Sequence, residues 1–339
     1  MNALEKFKES FRAEGTCSDL LSMPLIMTFA AKHSGVCYRE YIRDPKLMAH
    51  AQFAVCTDFG VDVLATTSDP VSELSSLGGD LIWFSDDPPA PDPTRPLLER
   101  ASDVTKLKIP DPHGRNRMAD RLEAIKEMRR LSDGTLPVLG WVEGPISEAA
   151  VMRGMTTLME DLIDDPEFID ELFCFNVRMA IRYAEAQIEA GADMIGFGDA
   201  PASLIGPEMY ERFVLPQELR IVNAIHDLGV PVRMHICGNT TKILPLMAQS
   251  GVDMVDIDSV TDFEAAADAF GPTVKLLGNL DPVREVLNST PDAIRTRLAQ
   301  CRKIAVPRYI AGAGCEIPAK TPDANLRAFA EFARGEAAA

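Results

Sequence analysis

Residues 193–237 indicate the fold class of this chain; their sequence is DMIGFGDAPASLIGPEMYERFVLPQELRIVNAIHDLGVPVRMHIC. Two short apolar runs, 193–198 and 231–236, flank a longer amphipathic pattern at 207–228. A strand, a helix and a second strand in this order are typical of the parallel βαβ unit. The stretch therefore predicts an α/β fold with a parallel sheet.

The same alternation continues on both sides of this unit. An amphipathic helix is predicted at 166–190, ending at Gly191 as its C-cap. The remaining strand candidates are 24–29, 61–66, 137–142, 252–257, 273–278 and 308–313. Eight candidate strands alternating with helices predict a single (β/α)8 TIM barrel domain over residues 1–339.

One segment interrupts the rhythm. Residues 69–113 are rich in proline, glycine and aspartate, and we interpret them as an insertion after the second strand, near the barrel mouth. Within it, the run 81–84 (LIWF) is a candidate edge strand. The tail 335–339 is expected to be frayed.

Composition limits the function classes. Of 339 residues, 46% are hydrophobic and 25% are charged, and the net charge of -17 argues against nucleic acid or anionic membrane as partners. The sequence has no apolar run long enough to span a bilayer, and its first residues do not resemble a signal peptide. Seven cysteines, an odd number, favour reduced thiols and a cytoplasmic location. Ordinary buried or half-buried thiols are expected at Cys17, Cys37, Cys56, Cys174 and Cys301.

His235, Cys237 and the distant Cys315 are the candidate metal ligands. Residues i and i+2 of a strand point to the same face, so His235 and Cys237 can converge on one point. Two thiolates and one imidazole suit Zn²⁺, and three protein ligands are typical of a catalytic zinc site. The alternative is that the three residues are unrelated; a structural zinc is disfavoured because the chain has no C-x-x-C pair.

Other polar residues follow the candidate strands, where (β/α)8 enzymes carry their active sites. Asp258 is a tentative fourth zinc ligand, with Glu143 as the competing carboxylate and a solvated or helix-capping aspartate as the alternative reading of Asp258. His33, after the first strand, could contact a bound substrate or cofactor, or simply be a hydrogen-bonded loop residue. The candidates for binding substrate or a cofactor are His33, Glu143, Asp199, Asn279 and Asp281.

The ligand set also indicates a type of reaction. Zn²⁺ with two thiolates and a neutral imidazole carries no net charge, which weakens it as a Lewis acid. Such a site keeps a bound thiol deprotonated yet nucleophilic, which suits attack on an electrophilic carbon such as a methyl group. Hydrolysis would more naturally use histidine and carboxylate ligands.

Three segments carry a family resemblance: 198–240 (GDAPASLIGPEMYERFVLPQELRIVNAIHDLGVPVRMHICGNT), 276–282 (LLGNLDP) and 314–318 (GCEIP). They resemble the uroporphyrinogen decarboxylase superfamily, and more narrowly its zinc-dependent cobalamin methyltransferase branch, represented by the methylcobamide:coenzyme M methyltransferases. The resemblance runs from about residue 4 to 333. It implies that His235, Cys237 and Cys315 bind zinc. It also implies methyl transfer from a corrinoid, carried on a separate small protein, to a small thiol.

The chain departs from the decarboxylases of the superfamily near the first strand. The decarboxylases carry an Arg-x-Ala-Gly-Arg-Tyr stretch there. Residues 27–41 of this chain, MTFAAKHSGVCYREY, lack that arginine pair. Three alternatives nevertheless stay open. They are a decarboxylase of the same fold, a methyltransferase that demethylates a small molecule onto the corrinoid, and a non-enzymatic binding partner with a structural zinc.

Overall fold

A computed structural model describes residues 1–11 and 20–335 of the chain. In these residues the strands are β1 Leu64–Ala65, β2 Leu81–Ile82, β3 Ala90–Pro91, β4 Val138–Glu143, β5 Met194–Gly198, β6 Val232–His235, β7 Met254–Ile257, β8 Lys275–Gly278 and β9 Tyr309–Ile310. The α-helices are α1 Ala3–Ser10, α2 Thr28–His33, α3 Tyr38–Tyr41, α4 Pro45–Phe59, α5 Ser72–Ser76, α6 Arg117–Ser132, α7 Pro145–Arg153, α8 Met155–Asp164, α9 Pro166–Ala190, α10 Gly206–Met209, α11 Leu215–Asp227, α12 Leu244–Met247, α13 Phe263–Ala269, α14 Pro291–Ile304 and α15 Asp323–Ala333. Short 3₁₀ segments are Ala101–Lys106, Ala200–Leu204 and Ala248–Ser250, and wider π turns are Tyr210–Val214 and Pro282–Leu287.

Seven strands form one parallel sheet in the order β1-β4-β5-β6-β7-β8-β9. The extended segment 21–23 contacts both of its edges. Met23 N donates to Ala311 O at 3.0 Å, and Asp62 N donates to Ser22 O at 2.8 Å. The sheet therefore curls until its first and last strands meet the same segment. The predicted α/β class with a parallel sheet is confirmed.

The predicted strand at 24–29 is wrong. The paired residues lie slightly earlier, at 21–23, and α2 begins at Thr28. Leu25 and Met27, which made this run apolar, line a cavity instead of continuing a ladder. A short apolar run signals burial, and periodicity alone cannot assign it to a strand.

Most of the other sequence predictions agree with the structure. The helix predicted at 166–190 is α9, and Gly191 ends it in the left-handed conformation with φ 114°. The pattern at 207–228 corresponds to α10, a π turn and α11. The strand predictions at 137–142, 193–198 and 231–236 match β4, β5 and β6 within a residue or two.

The segment 69–113 contains α5, a 3₁₀ turn and the two-stranded antiparallel sheet of β2 and β3. The predicted edge strand at Leu81 therefore exists, but it pairs with β3 rather than with the main sheet. The ring of Trp83 lies 5.3 Å from the guanidinium of Arg43 and 5.5 Å from that of Arg117. Stacking of guanidinium on indole thus holds this segment against the body of the protein.

A continuous apolar core fills the space between the curled sheet and the helices around it. Cys56 and Cys301 are buried free thiols, Cys37 and Cys174 are half-buried ones, and Cys17 lies outside the described residues, as does the tail from residue 336. None of the described helices has the length and apolar character needed to cross a bilayer.

Candidate metal centre

The three predicted ligands come together at the carboxyl end of the sheet. His235 Nε2 lies 2.8 Å from Cys237 Sγ and 3.7 Å from Cys315 Sγ, and the two sulfur atoms are 3.6 Å apart. All three atoms lie within 4.8 Å of one another. His235 is 6% exposed, and both cysteines are half-buried. Such a group can bind one cation without a rearrangement of the backbone.

Two glycines allow the backbone conformation that places Cys237 and Cys315 close together. Gly238 has φ 92°, a left-handed conformation that side chains disfavour, and it turns the chain directly after Cys237. At Gly314, a Cβ atom would lie 2.6 Å from Ser259 N, too close for any other residue. This close approach brings Cys315 to the loop that follows β7.

A buried charge network orients the imidazole. His235 Nδ1 lies 3.0 Å from Asp256 Oδ2, and Arg233 binds both oxygens of Asp256 at 2.9 to 3.1 Å. The side chains of Asp256 and Arg233 are fully buried. A carboxylate that accepts a hydrogen bond from Nδ1 leaves Nε2 free for the metal and raises its basicity. Asp256 and Arg233 therefore support the candidate ligand without contacting the metal position.

Sequence reasoning missed Asp256 and Arg233. The signal was available, because His235 follows Arg233 by two residues and Asp256 precedes Asp258 by two, so each pair shares one face of its strand. The β6–β7 register, which aligns His235 with Asp256, could not be obtained from the sequence.

The hydrogen bonds within the group favour one thiolate. The hydrogen bond from Cys237 and the nearby imidazole lower the pKa of Cys315 to about 4. The same hydrogen bond, together with burial, raises the pKa of Cys237 well above its usual value. Burial lowers the pKa of His235, but the hydrogen bonds and negative charges of Asp256 and Cys315 together outweigh it and bring that pKa to about 10. The group thus holds two protons that a divalent cation would replace.

Asp258, the tentative fourth ligand, lies next to the group but not in it. Its Oδ2 accepts from Gly238 N at 2.8 Å, and its Oδ1 accepts from Val260 N at 3.2 Å. Asp262, not Asp258, caps α13. The carboxylate of Asp258 therefore fixes the loop that carries Cys237, and its role as a ligand stays a prediction.

Of the other candidates, only Glu143 reaches the cavity beside the metal group. Glu143 of β4 pairs with Gly198 of β5, and Gly198 pairs in turn with His235 of β6. Trp141 Nε1 donates to Oε1 of Glu143 at 3.2 Å. Burial raises the pKa of Glu143 well above its usual value, and the nearby Glu73 and Glu148 raise it further.

The side chains of the remaining candidates have structural partners and do not line the cavity. His33 Nε2 lies 2.8 Å from Asp58 Oδ2, and Asp199 Oδ1 accepts from two backbone N–H groups of α7. Asn279 binds Thr261 O, and Asp281 caps the turn Pro282–Leu287. None of these four side chains is among the described residues that line the cavity.

Glu148 provides a test of the buried carboxyl groups through pH. It is 1% exposed, neither oxygen has a hydrogen-bond partner within the described residues, and burial and Glu73 raise its pKa well above 4.5. The folded state therefore binds this proton more tightly than the unfolded state. The free energy of unfolding should fall as pH rises from the unfolded pKa through the folded one.

Glu148→Gln removes this dependence. The free energy of unfolding is measured in urea between pH 4.5 and 8. Over this range it should fall by at least about 1 kcal/mol less in the variant than in the unchanged protein. Glu123→Gln, at an exposed position, is the control and should follow the unchanged protein. Parallel curves for the protein and Glu148→Gln would mean that Glu148 is ionised in the folded state.

The group opens onto a cavity of about 230 Å³. Besides the three candidate ligands, its lining residues are Leu25, Met27, Thr67, Asp69, Pro70, Trp141, Glu143, Ser147, Gly198, Ala200 and Glu316. A small molecule in this cavity would lie against the three candidate ligand atoms.

Comparison with known proteins identifies the family. The family model for uroporphyrinogen decarboxylase (URO-D) matches residues 23–335. The chain belongs to this family, as the resemblance predicted.

Individual relatives refine this assignment. The chain is 32% identical to the methylcobamide:CoM methyltransferase MtbA of Methanosarcina acetivorans over 89% of its own length and 88% of the relative's. It is 29% identical to a uroporphyrinogen decarboxylase of Myxococcus xanthus over 75% and 73% of the two chains. A solved methyltransferase from Methanosarcina mazei superposes with a TM-score of 0.90 over 99% of both chains, at 21% identity, and so shows the same fold. The relatives confirm the prediction that the chain is an enzyme of the methyltransferase type.

Proposed function

We propose that this protein is a zinc-dependent methyltransferase that moves a methyl group between a corrinoid, carried on a separate small protein, and a small thiol. One observation carries the proposal: His235 Nε2 and the sulfur atoms of Cys237 and Cys315 converge within 4.8 Å at the wall of a cavity. The methyltransferase relatives support the same reaction class.

The donor set fits zinc. Two sulfurs and one imidazole nitrogen are ligands that Zn²⁺ prefers, and three of them leave a position for substrate. When bound there, zinc would keep a substrate thiol deprotonated and still nucleophilic. Asp256 would hold the His235 tautomer, and Asp258 would hold the loop of Cys237. The proposal also includes Asp258 as a fourth ligand of the metal.

The proposed transfer balances simply. The thiol proton leaves to solvent, the sulfur forms a bond to the methyl carbon, and the cobalt–carbon bond breaks with its electron pair remaining on cobalt. The reverse direction uses the same groups.

The proposal also covers the fold and the location of the protein. The curled sheet serves as the (β/α)8 barrel of a single domain in the cytoplasm, and segment 69–113 flanks the barrel mouth.

A decarboxylase is the second candidate, supported by the Myxococcus xanthus relative. A substrate with many carboxylates requires clustered cations. The described residues that line the cavity include no lysine or arginine, and residues 27–41 lack the arginine pair of the decarboxylases. Methyl transfer is therefore the better account of this cavity.

Metal removal tests the proposal. The purified protein should contain about one zinc per chain and should demethylate methylcobalamin when a thiol is supplied. Dialysis against a chelator should abolish methyl transfer, and added Zn²⁺ should restore it, with little change in the far-UV circular dichroism spectrum. Loss of the fold on chelation, with no transfer by the intact protein, would favour a structural metal. Full activity without zinc would contradict the proposal.

A further inference from the structure

The cavity beside the candidate ligands is more selective than a site for thiols in general. We infer that it takes a small, uncharged, apolar thiol, or its methylated form, and rejects thiols that carry a sulfonate or carboxylate head. This inference rests on the proposed function and specifies its substrate class.

The walls are mainly apolar. Leu25 and Met27 come from the segment before α2, Pro70 comes from the loop after β1, and Ala200 begins the 3₁₀ segment after β5. Trp141 provides the largest flat surface, and its ring centre lies 6.5 Å from that of His235. An alkyl chain attached to a sulfur atom at the metal position would pack against these groups.

Trp141 is held rigidly. A Cβ atom at Gly196 would lie 2.4 Å from the indole, so only glycine on β5 leaves space for the ring. The indole N–H is occupied by Glu143. The ring therefore offers an apolar face to the cavity and no free donor to an anionic head.

The carboxyl groups of the wall offer no attraction to an anion. Asp69 is compensated by Arg117, whose two terminal nitrogens lie 2.8 and 2.5 Å from its oxygens. Glu316 accepts from the N–H and hydroxyl of Thr28 at 2.8 and 2.6 Å. Burial, together with the nearby Glu73 and Glu148, raises the pKa of Glu143, which favours its neutral form.

No lysine or arginine occurs among the described residues that line the cavity. The side chain of Arg117 is largely buried and already bound to Asp69, and Arg233 is fully buried and bound to Asp256. A sulfonate or carboxylate entering the cavity would lose its hydration without gaining a cation in exchange. An uncharged head loses much less.

The test compares thiols that share one arm, HS–CH₂–CH₂–, and differ in the head. Propanethiol is uncharged and apolar, 2-mercaptoethanesulfonate is anionic and cysteamine is cationic. Binding to the zinc-loaded protein is measured by isothermal titration calorimetry, and methyl transfer from methylcobalamin is measured separately. Propanethiol should bind about tenfold or more tightly than the sulfonate and show at least the same advantage in kcat/KM.

The outcomes distinguish the inference about the thiol class from the proposed methyl transfer. Equal or tighter binding of the sulfonate, or a preference for cysteamine, would overturn the uncharged class while leaving methyl transfer intact. Binding of propanethiol without any methyl transfer would support the cavity inference and contradict the proposed function. Failure of all three thiols to bind would overturn the inference.

A charge-gain variant provides an independent check. Met27→Lys places a cation at the half-buried cavity wall and should shift the binding ratio toward the sulfonate by about tenfold or more. Ile163→Lys adds the same charge at a position 71% exposed on α8, away from the cavity, and should leave the ratio unchanged. An equal shift in both variants would assign the effect to net charge rather than to the cavity.

Discussion

Replacing Cys237 by serine is expected to reduce methyl transfer by about a thousandfold or more and to reduce bound zinc well below one per chain. Serine is a much weaker zinc ligand than a thiolate, and the variant also removes the thiol that hydrogen-bonds to Cys315. Zinc content by mass spectrometry and initial rates with methylcobalamin and propanethiol measure the two effects.

Cys174→Ser is the matched control for this variant. Cys174 is also a half-buried free thiol, but it lies on α9 and contacts Arg220 rather than the metal group. This control should retain both zinc and activity. Retention of full zinc and full activity by Cys237→Ser would remove Cys237 from the site, and similar losses in both variants would indicate a general effect of thiol loss.

Replacing Asp256 by asparagine is expected to have the second largest effect, because Asp256 has two partners. Zinc affinity should fall by about 10- to 100-fold, since His235 loses the carboxylate that orients it. Stability should fall by about 3–5 kcal/mol, since Arg233 keeps a buried charge without its anion. Competition with a fluorescent zinc chelator measures the first effect, and urea unfolding measures the second.

Asp58→Asn is the control for Asp256→Asn. Asp58 also pairs with a histidine, His33, but its side chain is 51% exposed. Exposed ion pairs contribute about 0–1 kcal/mol, so this variant should change stability little and zinc affinity not at all. A stability loss in Asp256→Asn without any loss of zinc affinity would show that Asp256 supports the core rather than the metal ligand.

The parts of the fold and the site that could be predicted followed from local periodicity. The i, i+2 spacing of His235 and Cys237 placed both side chains on one side, and the strand-like run before Cys315 indicated a second approach to the same point. The alternation of strands and helices predicted the parallel sheet. These inferences required only the backbone geometry of strands and helices.

The parts that could not be predicted depended on register and on tertiary partners. Asp256 faces His235 because β6 and β7 pair in one particular alignment, which the sequence does not specify. Asp281 follows a strand as an active-site residue would, but it precedes a proline and caps the turn after it. The apolar run at 24–29 is buried as a cavity wall and a helix start rather than as a strand.

Zinc X-ray absorption spectroscopy of the protein, with and without propanethiol, would identify the atoms bound to the metal. We expect a zinc shell with two sulfurs at about 2.3 Å and at least one nitrogen at about 2.0–2.1 Å, with a third sulfur added when the thiol binds. A shell of only nitrogen and oxygen, or a sulfur count that does not change with thiol, would contradict this expectation.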